Sequence, residues 1–138
     1  MKKKKHLYET TIYYEDTDAA GITYHTSFLR FAERARTEFI RSIYPEFLKT
    51  LSAGKFFFVL RNINVEYIKP CYLFDNISIE TNIIKIKKTN IELNQLVKKK
   101  NEIACNIFLQ LVWISKKKKK PSKIDQNLIS RFMKHYNV

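Results

Sequence analysis

A single helical segment, followed along the chain by long strand-like segments, limits the possible folds more than any other feature of this sequence. Residues 27–41 place apolar side chains at helical spacing, with charged residues on the other faces. The apolar stripe consists of Phe28, Phe31, Ala32, Ala35 and Phe39. A stripe of this width needs an equally broad apolar surface to cover it. We therefore expect this helix, with Thr26 or Ser27 as its N-cap, to pack against a sheet.

Four long segments after the helix alternate apolar and polar residues, a pattern that is typical of β-strands. They cover residues 56–68, 76–87, 89–98 and 102–115. An earlier strand is predicted at 7–14, where aromatic and β-branched residues are frequent. Within 76–87 the alternation shifts by one residue between Ile83 and Ile84, which predicts a β-bulge.

Two of these strands carry further information about the sheet. In 56–68 we expect one apolar face that is interrupted by Arg61. That face consists of Phe57, Val59, Ile63, Val65 and Tyr67. The strand at 102–115 becomes apolar on both faces toward its end, which predicts a central or interface position. Cys105 in this strand is expected in the core, and neither it nor Cys71 has the spacing of a metal or redox site.

Two shorter helices complete the predicted elements. One is expected at 45–53, with Pro45 at its first position and Gly54 just past its end. The other is expected at about 124–136, where apolar residues recur every four positions. These residues are Ile124, Leu128, Phe132 and Tyr136. The order of elements predicts one α+β domain over residues 1–138, with an antiparallel sheet and the main helix on one of its faces.

The chain is strongly basic, with 26 Lys and Arg residues against 13 Asp and Glu, a formal net charge of +13. Much of the excess lies in runs at 98–100, at 116–120 and in a basic N-terminal tail at 1–5. Such runs could bind nucleic acid, an anionic membrane or an acidic partner, or they could be solvated lysines at strand ends. The first lysines are followed by no hydrophobic segment, and the longest apolar run, 56–60, is too short to span a bilayer. We expect a soluble cytoplasmic protein without stable membrane insertion.

Carboxylates are concentrated just before the main helix, in the stretch YYEDTDAAGITYH at residues 13–25. Gly21, one of two glycines in the chain, suggests a backbone conformation with positive φ in this loop. The first N–H groups of the helix lack intrahelical partners and would stabilise an oxygen that gains negative charge. A carboxylate beside them could attack a carbonyl carbon or activate water, but acidic residues at a helix start can equally be caps. The residues alone leave acyl hydrolysis and capping both open.

Residues 13–40 resemble the signature of the 4-hydroxybenzoyl-CoA thioesterase family of hotdog-fold proteins, and most closely its YbgC-like branch of Tol–Pal-associated acyl-CoA thioesterases. The matching features are YYEDTD, a pair of small residues, Gly21, YH and ERAR, and the segment FVLRNINVEYIKP at 58–70 is also similar. The resemblance implies the hotdog fold, in which a curved, five-stranded antiparallel sheet wraps around a long central helix. It also implies hydrolysis of an acyl-CoA to a free acid and CoA.

By the same resemblance, Asp18 is the catalytic carboxylate, acting as a nucleophile or as a general base toward water. His25 and Tyr14 match residues that assist in this branch, and a backbone N–H near His25 would polarise the thioester carbonyl. Roles in binding the substrate or CoA are expected for Gly21, Tyr24, Arg61 and Glu33.

Glu33 and Arg61 each have a second interpretation. Glu33 lies in the helix within reach of several arginines, and an ion pair with one of them is the favoured interpretation. The candidate partners are Arg30, Arg34 and Arg36. Arg61 could bind a CoA phosphate or could pair with a carboxylate of the protein.

Two other functions stay open. One is hydration or dehydration of an acyl chain bound to CoA or to a carrier protein, with His25 and Glu33 as acid and base. The other is a non-enzymatic, basic nucleic-acid-binding module, which we do not expect because the lysines are not interleaved with aromatic residues. The resemblance further implies a homodimer or homotetramer with sites at the subunit interface. An acyl-CoA or acyl carrier protein thioester is the expected partner, without a cofactor or a metal.

Overall fold

The structure, a computed structural model, describes residues 5–136; residues 1–4 and 137–138, and with them most of the predicted basic tail at 1–5, lie outside the described part. The strands are β1 (His6–Thr11), β2 (Phe56–Tyr67), β3 (Asn76–Ile86), β4 (Asn90–Lys99), β5 (Glu102–Ser115) and β6 (Lys120–Pro121). The helices are α1 (His25–Ile43), α2 (Phe47–Ser52) and α3 (Gln126–Tyr136), and a short 3₁₀ turn covers Tyr14–Asp16.

The strands of the described part form one antiparallel sheet in the order β1-β3-β4-β5-β2, which curls around α1. The predicted α+β class is therefore confirmed, and β5 is interior, as its two apolar faces predict. The sheet has a sixth strand where five were expected, because the chain turns back after β5 and the two-residue β6 pairs with it. The bulge predicted near Ile83 and Ile84 is confirmed by a register shift between Ile83 and Lys85.

The apolar stripe of α1 is buried against the concave face of the sheet, as its spacing predicts. The buried members are Phe28, Phe31, Ala32, Ala35 and Phe39. α3 packs beside them through Leu128 and Phe132, and the Phe132 ring stacks on Phe39 with centroids 5.5 Å apart. Burial of each large apolar side chain stabilises the fold by roughly 1.5–3 kcal/mol, so this core fixes α1 firmly against the sheet.

The helices differ from the prediction at their ends. The N-cap of α1 is Tyr24, which makes no side-chain capping bond, so the predicted N-caps Thr26 and Ser27 are wrong. The Ser27 hydroxyl instead donates to the carbonyl oxygen of Asp16 (3.0 Å) and ties the preceding loop to the helix. α2 begins two residues after Pro45, which therefore lies in the turn before it. Among the described residues, no helix has both the length and the hydrophobicity that are needed to cross a bilayer.

The first strand ends earlier than predicted, at Thr11 instead of residue 14. The 3₁₀ turn that follows breaks the alternation of the strand, so Asp16 and Asp18 do not share one side as they would in a continued strand. Asp16 is buried, whereas Asp18 is exposed. The cause is a hydrogen bond from the N–H of Tyr13 to the Asp16 carboxylate (2.9 Å), which closes the turn and draws this side chain inward.

β2 contains a bulge that the sequence pattern conceals. Its pairing with β5 shifts between Leu60 and Asn62, so Arg61 is an extra residue that has no partner in the ladder. The half-buried residues that face the core are Phe56, Phe58, Ile63 and Val65. The predicted apolar face is therefore wrong for its first half, because Phe57 and Val59 are exposed and lie on the other face.

Candidate active site

The loop between the 3₁₀ turn and α1 is a narrow hairpin closed by backbone hydrogen bonds. The N–H of Asp18 donates to the carbonyl oxygen of Ile22 (2.9 Å), and the N–H of Tyr24 donates to that of Asp16 (2.8 Å). An antiparallel bridge joins Thr17 and Thr23 between these two bonds. The loop is therefore ordered by its own backbone and leads directly into the first turn of α1.

The Asp18 side chain is fixed through one of its two carboxylate oxygens. Oδ1 accepts hydrogen bonds from the N–H groups of Ala20 (2.8 Å) and Ile22 (3.2 Å), while Oδ2 has no partner among the described residues. Gly21 has the positive φ that the sequence predicted, 78°, and this conformation lets the chain reverse beneath the carboxylate. The turn thus orients Asp18 while leaving one oxygen available for chemistry.

The start of α1 offers hydrogen-bond donors next to this loop. The N–H groups of His25 and Thr26 have no acceptor among residues 5–136, and the Tyr24 cap supplies none from its side chain. These groups carry the positive end of the helix dipole, so they can stabilise an oxyanion. Ile22, whose N–H is hydrogen-bonded to the Asp18 carboxylate, precedes His25 by three residues, so the Cα atoms of Ile22 and His25 are at most about 10 Å apart.

Aromatic side chains surround the helix start. The hydroxyl of Tyr67, at the end of β2, donates to the carbonyl oxygen of His25 (3.0 Å). The rings of Tyr24 and His25 are in contact, with centroids 4.4 Å apart, and both side chains are exposed. Tyr14 is 81% exposed. Asp18 therefore lies on the loop, Tyr24 and His25 lie at the helix start that follows it, and Tyr14 lies on the turn that precedes it.

The other two predicted substrate-binding residues lie away from the loop. Arg61 is exposed on the bulge of β2, six residues before Tyr67 and roughly 20 Å from it along the strand. Glu33 forms an ion pair with Arg36, which confirms the pairing favoured from the sequence. A single chain therefore does not bring Arg61 or Glu33 to Asp18.

A buried polar cluster lies beneath Glu33, and the sequence reasoning missed it. Arg36 is paired with Glu33 and donates through Nη1 to Oε1 of Gln95 (2.7 Å). Gln95 in turn donates to the carbonyl oxygen of Ala32 (2.9 Å) and to the hydroxyl of Thr81 (3.0 Å). Burial lowers the pKa of Arg36 to about 10, so the guanidinium stays charged at neutral pH. The cluster ties α1 to β3 and β4.

An apolar cavity of about 400 Å³ lies between α1, α2 and β2. Its apolar lining includes Ile40, Tyr44, Phe47, Leu48, Phe58 and Leu111. Its polar lining consists of Glu33, Arg36, Thr37 and Arg41. Two leucines in α2 are the sequence signal for this cavity, because a helix covered on all sides would bury them. In the structure Leu48 and Leu51 are 71% and 42% exposed and line the cavity. No group of His, Cys, Asp or Glu side chains in the described part of the chain is arranged to bind a metal ion.

Comparison with known proteins identifies the family. A model of the thioesterase-like superfamily matches residues 13–132, from the loop through α1 and the sheet to α3. This chain belongs to the thioesterase-like superfamily. The membership agrees with the resemblance seen in residues 13–40, which is confirmed.

Named relatives of this superfamily match over most of the chain. The acyl-CoA thioester hydrolase YbgC of Escherichia coli is 34% identical over 122 residues, which are 88% of this chain and 90% of the relative. The acyl-CoA thioesterase YbgC of Haemophilus influenzae is 30% identical over 110 residues, 80% of this chain and 81% of the relative. The similarity thus extends well beyond the short motif before α1.

Solved structures of thioesterase-like proteins share the fold. Slr0204 of Synechocystis, a 1,4-dihydroxy-2-naphthoyl-CoA thioesterase, has a TM-score of 0.85 at 18% identity, covering 93% of this chain and 95% of that one. SAV2348 of Staphylococcus aureus, in complex with CoA, has a TM-score of 0.90 at 12% identity, covering 99% and 87%. At these identities the likeness concerns the fold alone, and it confirms the predicted hotdog fold.

Proposed function

We propose that this protein hydrolyses the thioester bond of an acyl-CoA in the cytoplasm, releasing a free acid and CoA. One observation carries the proposal: a single loop holds Asp18, with one free carboxylate oxygen, next to a helix start whose first N–H groups have no acceptor. Membership of the thioesterase-like superfamily supports the same reaction, as do the YbgC relatives that are named acyl-CoA thioesterases.

Asp18 performs the first step in one of two ways. Its free Oδ2 attacks the carbonyl carbon of the thioester, or it removes a proton from the water that attacks. Both routes place negative charge on the carbonyl oxygen, which accepts hydrogen bonds from the N–H groups of His25 and Thr26. The C–S bond then breaks, and the thiolate of CoA takes up a proton. In the first route the acyl group forms a mixed anhydride with Asp18, which water hydrolyses to the free acid. In the second route the attack of water gives the free acid directly.

A second copy of the chain completes this site. Asp18 is exposed in a single chain, and water around it would weaken each electrostatic interaction with the substrate. β2 is an edge strand of 12 residues with no fully buried side chain, and Val59 and Leu60 are 40% and 43% exposed. Long apolar edges are normally covered. Two-fold pairing of β2 with β2 of a second copy continues the antiparallel sheet across the interface.

This pairing brings the loop of one subunit to the cavity of the other. The contact of Tyr67 with His25 places the loop at the end of β2, whereas Phe57 and Phe58 line the cavity near its start. Antiparallel pairing reverses these positions across the interface. The apolar cavity then receives the acyl group while Asp18 of the second subunit attacks the thioester, and Arg61 near the middle of β2 faces the phosphates of CoA.

The interface predicts a specific response to charge on β2. Val59→Lys buries a cation from each subunit in the paired, apolar β2 edge, at a cost of several kcal/mol, so we expect monomers and little thiol release. Leu7→Lys is the matched control, because Leu7 is 50% exposed on β1, the other edge strand. Light scattering coupled to gel filtration measures the mass. If Leu7→Lys dissociated the oligomer and Val59→Lys did not, the interface would lie at β1 and the proposed pairing of β2 would be wrong.

The geometry disfavours a hydratase. That reaction would use His25 and Glu33 as acid and base, but they are eight residues apart, about 12 Å along the helix. Glu33 is also held in its ion pair with Arg36.

The reaction is tested with purified protein and a panel of thioesters. The panel contains short aliphatic, long fatty and aromatic acyl-CoAs and an acyl carrier protein thioester, and it is scored by the free thiol released. We expect thiol release from acyl-CoA and no hydration of an enoyl-CoA, measured by its absorbance. Hydration without thiol release would overturn the proposal.

A further inference from the structure

One end of the sheet is strongly basic, and we call it the lysine end. It comprises Lys55, Lys85, Lys87, Lys88, Lys123 and the run at 116–120, all of them exposed. These residues lie at the start of β2, the end of β3 and the loops beside them. The Asp18 loop lies at the other end of β2, which has 12 residues and is roughly 35 Å long. The lysine end is therefore remote from the catalytic loop of the same chain, whereas the proposed antiparallel pairing of β2 places it at the same end as the Asp18 loop of the second subunit.

The lysines at the two ends of the sheet differ in their partners. Near the Asp18 loop three lysines form ion pairs with carboxylates, whereas Lys100 has no such pair among the described residues. The pairs are Lys69–Glu102 (2.5 Å), Lys98–Glu80 (3.1 Å) and Lys99–Asp75 (2.7 Å). At the lysine end, only Lys87 has such a partner among the described residues, Glu92 at 3.2 Å. The charge at this end is thus not neutralised within the described part of the chain.

The run at 116–120 is a folded turn. The N–H of Lys119 donates to the carbonyl oxygen of Ser115 (2.8 Å), and the N–H of Lys118 donates to its hydroxyl (3.2 Å). The N–H of Lys116 donates to the carbonyl oxygen of Lys55 (2.9 Å). The fold therefore holds like charges close together, and no carboxylate among the described residues forms an ion pair with this run.

An apolar groove adjoins these lysines. It has a volume of about 480 Å³ and lies between the end of β3 and α3. Ile84 and Met133 line it and are 46% and 51% exposed, beside Lys85, Lys88 and Lys123. Exposed aliphatic side chains among lysines suit a surface that has phosphates above and apolar chains below. A single-stranded nucleic acid would instead need aromatic side chains on which its bases stack.

We propose that the lysine end docks this protein on a bilayer of anionic phospholipid. The lysines contact headgroup phosphates, and Ile84 and Met133 enter the headgroup layer. The docking is peripheral and reversible, and it does not depend on the proposed catalytic role of Asp18. It would hold the enzyme at a surface where acyl chains are exchanged.

The test compares two triple variants that lose the same charge. K117Q/K118Q/K123Q changes the lysine end, and K69Q/K99Q/K100N changes the opposite end. Binding is measured by sedimentation with vesicles of phosphatidylcholine, with and without phosphatidylglycerol. For the first variant we expect affinity for the anionic vesicles to fall roughly 100-fold, which corresponds to about 3 kcal/mol. The second should change it less than about threefold, and binding should weaken as salt rises.

Three further measurements test the apolar contact and the alternative ligands of the lysine end. Met133→Ser removes only the apolar contact, and we expect it to weaken vesicle binding severalfold at unchanged charge. Equal loss in both triple variants would mean that net charge alone drives binding and would overturn the site. Displacement from vesicles by free CoA would assign the lysine end to substrate, and tighter binding to single-stranded RNA than to vesicles would assign it to nucleic acid. Thermal unfolding of each variant checks that it is folded.

Discussion

Replacing Asp18 by Asn will lower the turnover number for acyl-CoA by about 10²–10⁴-fold, the contribution that a positioned acid or base makes. Asn retains an oxygen that can accept the N–H bonds of Ala20 and Ile22, so the turn stays closed. Its amide cannot attack a carbonyl carbon or take a proton from water. Because the proposed acyl site is the apolar cavity and not Asp18, we expect kcat to fall and KM to change little, as measured by thiol release.

Glu15→Gln is the matched control for this prediction. Glu15 lies on the 3₁₀ turn that precedes the Asp18 loop, is exposed and makes no hydrogen bond or ion pair with the described residues. Its substitution removes the same charge. We expect its activity to stay within about twofold of the parent chain, the small change that an exposed charge usually makes. If Asp18→Asn kept full activity, or if Glu15→Gln were equally damaging, Asp18 could not be the reacting group.

The elements that were predicted correctly are those with a long and regular apolar period. The stripe of α1 and the alternation in β4 and β5 each repeat several times, so an error at one residue does not change the period. The bulge in β3 was visible because Ile83 and Ile84 are adjacent and apolar, which shows the shift directly. The bulge in β2 lies at Arg61. Because this residue is polar, the sequence pattern predicted a single polar interruption of one continuous apolar face and no shift in the alternation.

The candidate site was predictable only in part. The positive φ of Gly21 was predicted correctly because glycine is the residue type favoured in that conformation. The 3₁₀ turn at Tyr14–Asp16 has no glycine or proline to announce it, so the opposite orientations of Asp16 and Asp18 could not be foreseen. The cavity depends on the distance between α2 and β2, which follows from tertiary packing and not from any local pattern.

Gln95 is a core residue whose identity conflicts with its pattern. Alternation in β4 puts it on the same face as Leu93 and Val97, where an apolar side chain is expected. The structure explains the exception, because Arg36 on α1 needs an acceptor at this position. A polar residue at an apolar position of a strand was therefore a signal for a buried cation on the helix above it.

Replacing Gln95 by Leu will destabilise the fold by about 3–5 kcal/mol, although Leu has a similar size and suits a core. Gln95 is fully buried, and its loss leaves the Arg36 guanidinium without its inner acceptor and the Thr81 hydroxyl without its donor. Breaking a buried charged contact costs this much because the remaining charge stays desolvated. Urea denaturation at fixed protein concentration measures the change, so that the oligomeric state does not confuse the comparison.

Two further variants separate this effect from a simple loss of hydrogen bonds. Gln110→Leu makes the same substitution on the outer face of the sheet, where Gln110 is half-buried and bonded to Asn62 and Asn90, and should cost less than about 1 kcal/mol. Arg36→Met combined with Gln95→Leu removes the charge as well as its acceptor, while Glu33 remains well hydrated because its side chain is 69% exposed. We expect this double variant to be more stable than Gln95→Leu alone, since the uncompensated charge is gone. A double variant less stable than the single one would show that Arg36 stabilises α1 through contacts other than the one to Gln95.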